Sequence, residues 1–151
     1  MVDTERLHFK IGLAGTYWGK KPQYSILIND SVIETQEVSA PTGETFFVEF
    51  DQEVEEGTAT LKIRLENKDN NDVVKDDDSK EDFVIVKDLL LHIKSIEIDE
   101  IDLGQLIWEK STFTGDDSAR PVLDNCVDLG WNGTWELTFE SPFYIWLLEN
   151  I

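Results

Sequence analysis

Apolar and polar residues alternate along most of this chain, with the period of two that is typical of β-strands. The clearest case is Leu61-Lys62-Ile63-Arg64-Leu65-Glu66, whose apolar side chains would face a core while the charged ones face solvent. Similar patterns predict further strands at residues 7–11, 24–28, 31–35, 46–50, 83–101, 134–139 and 144–148. No stretch carries a helical apolar stripe longer than about two turns.

Turn signals separate these segments. Asn29-Asp30 is a two-residue hairpin signal because both side chains tolerate positive φ, and Glu55-Glu56-Gly57 predicts a second tight turn. A bulge is expected near Lys94-Ser95, where the apolar phase slips. Residues 67–82 and 111–121 read as two long loops. We therefore expect one all-β domain over residues 1–151, a two-sheet antiparallel sandwich or jelly roll of about eight strands.

Composition narrows the function classes. The formal net charge of −19 repels phosphate backbones and anionic lipid, so we expect neither nucleic acid nor membrane as a partner. Cys126 is the only cysteine, which excludes an internal disulfide. Residues 1–10 contain no apolar segment of the secretory type, so we expect no secretion signal.

Catalytic motifs are missing from the sequence. The only histidines, His8 and His92, alternate with apolar residues and read as solvent-facing strand positions. There is no Gly-rich phosphate loop, no G-x-S-x-G and no H-E-x-x-H. We expect a protein that binds or assembles and is not an enzyme.

Oxygen ligands concentrate in the first long loop. Asn67, Asp69, Asn71, Asp72 and the Asp76 to Asp78 cluster are the ligand types that calcium prefers. The loop lacks the glycine and final glutamate of an EF-hand, but a calcium site at the edge of a sandwich needs no such register. A solvated acidic loop explains the same residues, and both interpretations stand.

Two aromatic segments are candidates for contacts with partners. Tyr17 and Trp18 lie in a Gly-rich loop beside two lysines, where exposed rings could stack on sugars or anchor a protein. The segment from Phe143 to Leu148 is apolar on both faces, so Tyr144 and Trp146 are predicted to form an interface on an edge strand.

Two stretches together resemble a known module family. Leu61-Lys-Ile-Arg-Leu-Glu-Asn-Lys-Asp69 and Lys87-Asp88-Leu-Leu-Leu-His-Ile-Lys-Ser-Ile-Glu-Ile-Asp99 are similar to the calcium-dependent xylan-binding β-jelly-roll modules. The resemblance covers about 40 residues and implies a jelly roll. It also implies calcium at Asp69 and Asp88, with carbohydrate as the ligand. Leu89 and Leu90 replace the Arg and Asn of that family.

A second resemblance spans nearly the whole chain. The stretches Ile11 to Tyr24, Ile96 to Gly104 and Asn125 to Ile151 resemble small structural proteins of tailed cyanophage-type phages. This resemblance implies a non-enzymatic virion component for capsid decoration, the neck or the tail. Its location would be the virion, and its partners other virion proteins or further copies of itself. A calcium-dependent carbohydrate-binding domain is the alternative function.

Overall fold

Antiparallel strands account for most of the chain in the computed structural model, which describes residues 3–77 and 81–151. In this part of the chain eight strands have five residues or more, and five are shorter. In chain order they are β1 (Thr4–Thr16), β2 (Gln23–Ile28), β3 (Ser31–Glu37), β4 (Phe46–Glu55), β5 (Gly57–Leu65), β6 (Val74–Lys75), β7 (Ile85–Lys87), β8 (Leu90–Ile98), β9 (Ile101–Asp102), β10 (Ser111–Gly115), β11 (Leu123–Asp124), β12 (Asp128–Leu129) and β13 (Gly133–Ser141).

These strands form two large sheets and one small one. The first sheet has the order β12-β8-β1-β4, with β9 added on β8. The second has the order β11-β10-β13-β5-β2-β3, and β6 pairs with β7 in a separate hairpin. The chain is thus an all-β antiparallel sandwich of open sheets, which confirms the predicted fold class.

The core lies between the two large sheets because alternate side chains of each strand point inward. Leu7, Phe9, Ile11 and Leu13 of β1 are fully buried, as are alternate residues of β5 and β13. Ring contacts join the sheets: the centroids of Phe9 on β1 and Phe139 on β13 are 6.3 Å apart. The period of two along each strand therefore follows from burial of one face.

The predicted turns are present. Asn29, with φ 55°, turns β2 into β3, and Gly57, with φ 115°, follows β4. The register between β1 and β8 shifts at Gly12/Leu13, and Lys94 is the extra residue, which confirms the expected bulge. A Cβ at Gly12 would lie 2.6 Å from Ser95 Oγ and 3.1 Å from the Phe47 ring, so a larger residue opposite the bulge would displace these side chains.

The C-terminal segment is a helix, and the prediction of a strand at residues 144–148 is wrong. Besides α1 (Leu106–Glu109), the chain forms α2 (Phe143–Asn150), which packs on β13. Phe143, Trp146 and Leu147 are buried at helical spacing. Glu5 Oε2 accepts the Phe143 N–H at 2.9 Å and so caps the first turn. Neither helix of the described residues could span a membrane.

The loop after residue 65 is shorter than the sequence suggested. Asp69 caps one turn of 3₁₀ helix (Asn70–Asp72), and strands β6 and β7 follow it. Residues 78–80, between these two strands, lie outside the described part of the chain, so the predicted ligand Asp78 is not described. The second predicted loop likewise begins with β10.

Pairing registers place the loops at opposite ends of the sandwich. Thr16 pairs with Leu90, Tyr24 with Leu65, and Leu65 with Gly133. The segments beyond these residues therefore meet at one end, which we call the cleft end. The hairpin at Asn29 and helix α2 lie at the other.

Candidate functional site

A cleft of about 640 Å³ opens at the cleft end, between the loop after β5, the β6–β7 hairpin, the loop after β10 and the loop before β13. It is lined by Lys68, Asp69, Asn70, Val73, Lys75, Phe83, Ile85, Asp88, Asp116, Asp117, Arg120, Gly130, Trp131 and Asn132. The cleft combines aromatic walls with several carboxylates and amides, so it is more polar than most small-molecule sites.

Lys68 is fixed at the cleft by contacts on both its main chain and its side chain. Its N–H donates to Asn132 Oδ1 at 2.8 Å, and Asn132 Nδ2 donates to its carbonyl at 2.9 Å. Its ammonium group donates to the Gly130 carbonyl at 2.7 Å and lies 2.6 Å from Asp88 Oδ1. Asn132 and Lys68 thereby tie the loop after β5 to the loop before β13.

Asp69 is anchored in the same region. Its Oδ1 accepts the Asn71 N–H at 2.8 Å, while Asp72 Oδ2 accepts the Asp69 N–H at 2.7 Å. Lys20 Nζ bridges the two carboxylates at 2.9 and 3.0 Å. The hydrogen bond from Lys20 lowers the pKa of Asp69 below its ordinary value.

Aromatic rings form two walls of the cleft. The Arg120 guanidinium lies 4.5 Å from the centroid of the Trp131 ring, and Lys75 Nζ lies 4.2 Å from that of Phe83. Trp131 also packs against Phe113, with centroids 5.8 Å apart. Within the described residues, its buried Nε1 has no hydrogen-bond partner. Arg120 is exposed, so its guanidinium can move away from the ring.

The predicted aromatic loop borders this region. Trp18 is 49% exposed, and its Nε1 donates to the Asp72 carbonyl at 2.9 Å. Tyr17 is half-buried and donates through its hydroxyl to the Ala40 carbonyl at 2.9 Å. Trp18 lines a separate groove against the β6–β7 hairpin, with Lys87 Nζ 4.9 Å from its ring centroid. Both residues lie at the cleft end, but they do not line the cleft.

The C-terminal aromatic residues lie elsewhere. Trp146 is only 7% exposed and packs on Phe139 and Phe143, which contradicts the prediction that its ring faces a partner. Tyr144 is exposed on the outer side of α2. The structure therefore separates these two residues, one in the core and one on the surface.

Both histidines pair with carboxylates on the outer face of the first sheet. His8 Nδ1 lies 2.7 Å from Asp51 Oδ1, and this hydrogen bond raises the pKa of His8. His92 lies 2.7 Å from both Thr16 Oγ1 and Asp128 Oδ1. This order of hydroxyl, imidazole and carboxylate is also that of hydrolase triads. Here the three occupy neighbouring cross-strand positions, so we assign them a role in sheet pairing.

Sequence reasoning missed Lys68, Phe83, Arg120 and Trp131 as cleft residues. A signal existed for one of them, because Gly130-Trp131-Asn132-Gly133 places an aromatic residue between turn residues. For Lys68 no local signal exists, because its partners Asp88 and Gly130 lie on other loops.

The sandwich is similar to solved structures of carbohydrate-binding modules. One is described as vCBM60 in complex with galactobiose, with a TM-score of 0.53 and 10% identity over 86% of this chain and 96% of that chain. Another is a selenomethionine form of vCBM60, from work on two families of calcium-dependent carbohydrate binding modules. It has a TM-score of 0.54 and 10% identity, over 87% of this chain and 89% of that one.

No protein-family model and no curated protein matches the sequence. At 10% identity the structural likeness shows the fold alone. The prediction of a phage virion component is wrong, because the structural neighbours are carbohydrate-binding modules. The docking surface expected for a virion component was an apolar edge strand at the C-terminus, and that segment is a helix with its largest ring buried.

The calcium expected from the resemblance does not fit the cleft as it stands. Both predicted ligands line the cleft, but Asp88 is paired with Lys68 and Asp69 with Lys20. Among residues 3–77 and 81–151, no group of three or more His, Cys, Asp or Glu side chains could hold a metal ion. Calcium requires six to eight oxygen ligands, and lysine ammonium groups already pair with both predicted ligands.

Proposed function

We propose that this chain is a non-catalytic carbohydrate-binding domain whose ligand site is the cleft between Trp131 and Phe83. The observation that carries the proposal is a polar cleft with aromatic walls, in a sandwich that resembles vCBM60 over most of both chains. Sugars present apolar ring faces and polar hydroxyl edges, so a site for them needs both kinds of surface.

The two walls supply the apolar surface. Trp131 is held from behind by Phe113, and the exposed Phe83 lies on the β6–β7 hairpin. A sugar ring that enters between them would displace the Arg120 guanidinium from the Trp131 face. That guanidinium makes no hydrogen bond or ion pair within the described residues, so its displacement breaks only the cation–π contact.

The polar groups would orient the ligand. Asp117, Asn70 and the second carboxylate oxygen of Asp88 line the cleft and could accept hydrogen bonds from sugar hydroxyls. The net charge of −19 disfavours polysaccharides that carry uronate or sulfate groups. We therefore propose a neutral oligosaccharide as the ligand class.

Titration of the full chain with galactobiose and with xylan- and galactan-derived oligosaccharides tests the proposal. Calorimetry or tryptophan fluorescence should show saturable binding to at least one neutral sugar. Trp131→Ala should weaken that binding about tenfold or more, as expected for a central aromatic contact. Phe83→Ala, in the opposite wall, should weaken it as well.

Trp108→Ala is the matched control, because Trp108 is about half exposed and lies outside the cleft. It should leave binding unchanged. The absence of binding to any neutral sugar, or equal losses in Trp131→Ala and Trp108→Ala, would rule out this site. Circular dichroism of each variant separates loss of binding from loss of fold.

A further inference from the structure

We propose that the Lys68 ammonium group is a built-in cation at the cleft, which makes the cleft independent of calcium. The contacts of Lys68 and Lys20 account for the absence of a calcium requirement, and calcium-independent sugar binding rests in addition on the proposed function. The second structural neighbour comes from work on calcium-dependent modules, whereas here lysines pair with the carboxylates expected to hold calcium.

The Lys68 ammonium group is held in place. Lys68 Nζ contacts Asp88 Oδ1 at 2.6 Å and the Gly130 carbonyl at 2.7 Å, and the two side chains are only 12% and 20% exposed. Asn132 fixes the Lys68 main chain from both sides. A surface lysine would be free to move, but this one is bound at both ends.

The Lys68 ammonium group pairs with the kinds of oxygen donor that calcium prefers. It contacts one carboxylate, that of Asp88, and one backbone carbonyl, that of Gly130. An ion entering at this point would have to displace a tethered cation, whose effective concentration beside Asp88 is high. The positive charge that a metal would bring is therefore already present.

The neighbouring acidic pair, Asp69 and Asp72, is neutralised in the same way. Lys20 Nζ bridges Asp69 and Asp72 at 2.9 and 3.0 Å. Lys20 thus pairs with Asp69 and Asp72, and Lys68 pairs with Asp88.

Thermal unfolding of the full chain, with no sugar present, tests the inference. The midpoint of the wild type should agree within about one degree between chelator and millimolar calcium, whereas a saturated site would shift it by several degrees. Lys68→Met keeps the aliphatic stem and removes the charge. In chelator it should unfold at a lower temperature, and calcium should raise its midpoint by several degrees.

Lys62→Met is the matched control, because Lys62 also pairs with carboxylates, those of Asp30 and Glu136, but does not line the cleft. Its midpoint should not respond to calcium. A wild type stabilised by calcium, or a response of Lys68→Met no larger than that of Lys62→Met, would overturn the inference.

Should Lys68→Met fail to fold, calorimetric titration of the wild type with calcium decides the question. No saturable site of submillimolar affinity is expected, and such a site would overturn the inference. Failure of the proposed function is distinguishable, since it would appear as absence of sugar binding with the calcium results unchanged. If sugar is bound, the affinity in chelator should equal that in calcium.

Discussion

Replacement of Trp146 by alanine should strongly destabilise the sandwich, because its ring is 7% exposed and closes the end of the core under α2. An aromatic side chain buries about 150–250 Å², which corresponds to roughly 4–6 kcal/mol at about 25 cal/mol per Å². The ring pairs with Phe139 and Phe143, with centroids 6.2 and 6.1 Å away, are included in this contact area. Partial collapse of the cavity and the high helix propensity of alanine offset some of the loss.

We therefore expect Trp146→Ala to lower the free energy of unfolding by about 3–5 kcal/mol. For a domain of this length that corresponds to a fall in the thermal midpoint on the order of 10 °C. Urea unfolding followed by circular dichroism and by fluorescence gives the free energy and tests whether the transition is two-state.

Leu148→Ala is the control on the same helix, because Leu148 is 73% exposed. Its effect should stay within about 0.5 kcal/mol. Comparable losses in the two variants, or a Trp146→Ala protein as stable as the wild type, would refute the assignment of Trp146 to the core. A change in oligomeric state with unchanged stability would instead support the earlier interface interpretation.

Three further outcomes follow from the structure. Gly133→Ala would place a Cβ 2.4 Å from the Thr114 carbonyl, so we expect about 1–3 kcal/mol of destabilisation in urea unfolding, and none would contradict the close packing. Glu5→Ala leaves the Phe143 N–H without its acceptor, so the free energy of unfolding should fall by about 1–2 kcal/mol. Amide exchange in the first turn of α2 should become faster, and unchanged exchange would argue against the cap. Burial raises the pKa of Tyr24 from 10.0 to about 12, so the unfolded state loses this proton first and the wild type should lose stability as the pH rises through that window. Tyr24→Phe should lack this part of the alkaline loss, which thermal unfolding between pH 9 and about 12 would measure.

The strands were predictable because burial of one face imposes a period of two. In β5, Leu61, Ile63 and Leu65 are fully buried and alternate with half-buried partners, as the sequence suggested. The hairpin at Asn29 was predictable for the same kind of reason, since its φ of 55° is a local property of the residue.

Helix α2 was not predictable from periodicity. Phe143, Trp146 and Leu147 follow helical spacing, but the residues between them are also apolar, so a short apolar run does not distinguish helix from strand. Pro142 immediately before the helix was the available signal. The decision came from tertiary packing on β13 and from Glu5, which lies 138 residues away from Phe143.

The candidate site was predictable only in part. The resemblance to xylan-binding modules put Asp69 and Asp88 together, and both line the cleft. Lysine partners change the chemistry of both carboxylates. Lys20 and Asp69, for example, are 49 positions apart, on loops that meet only after both sheets have formed. Local sequence patterns carry no information on such pairs.

The arrangement of the sandwich implies that stability and binding should be separable. Strand β13 begins at the cleft, beside Trp131, and leads directly into α2. Its nine residues span roughly 30 Å at about 3.3 Å per residue, so the cleft and the helix share no side-chain contact. Substitutions at such a distance usually act independently.

Trp146→Ala should therefore lower stability without changing sugar affinity in the folded fraction. Phe83→Ala, on the exposed hairpin, should lower sugar affinity without lowering stability. A variant that changed sugar affinity and stability together would show that the two ends are coupled.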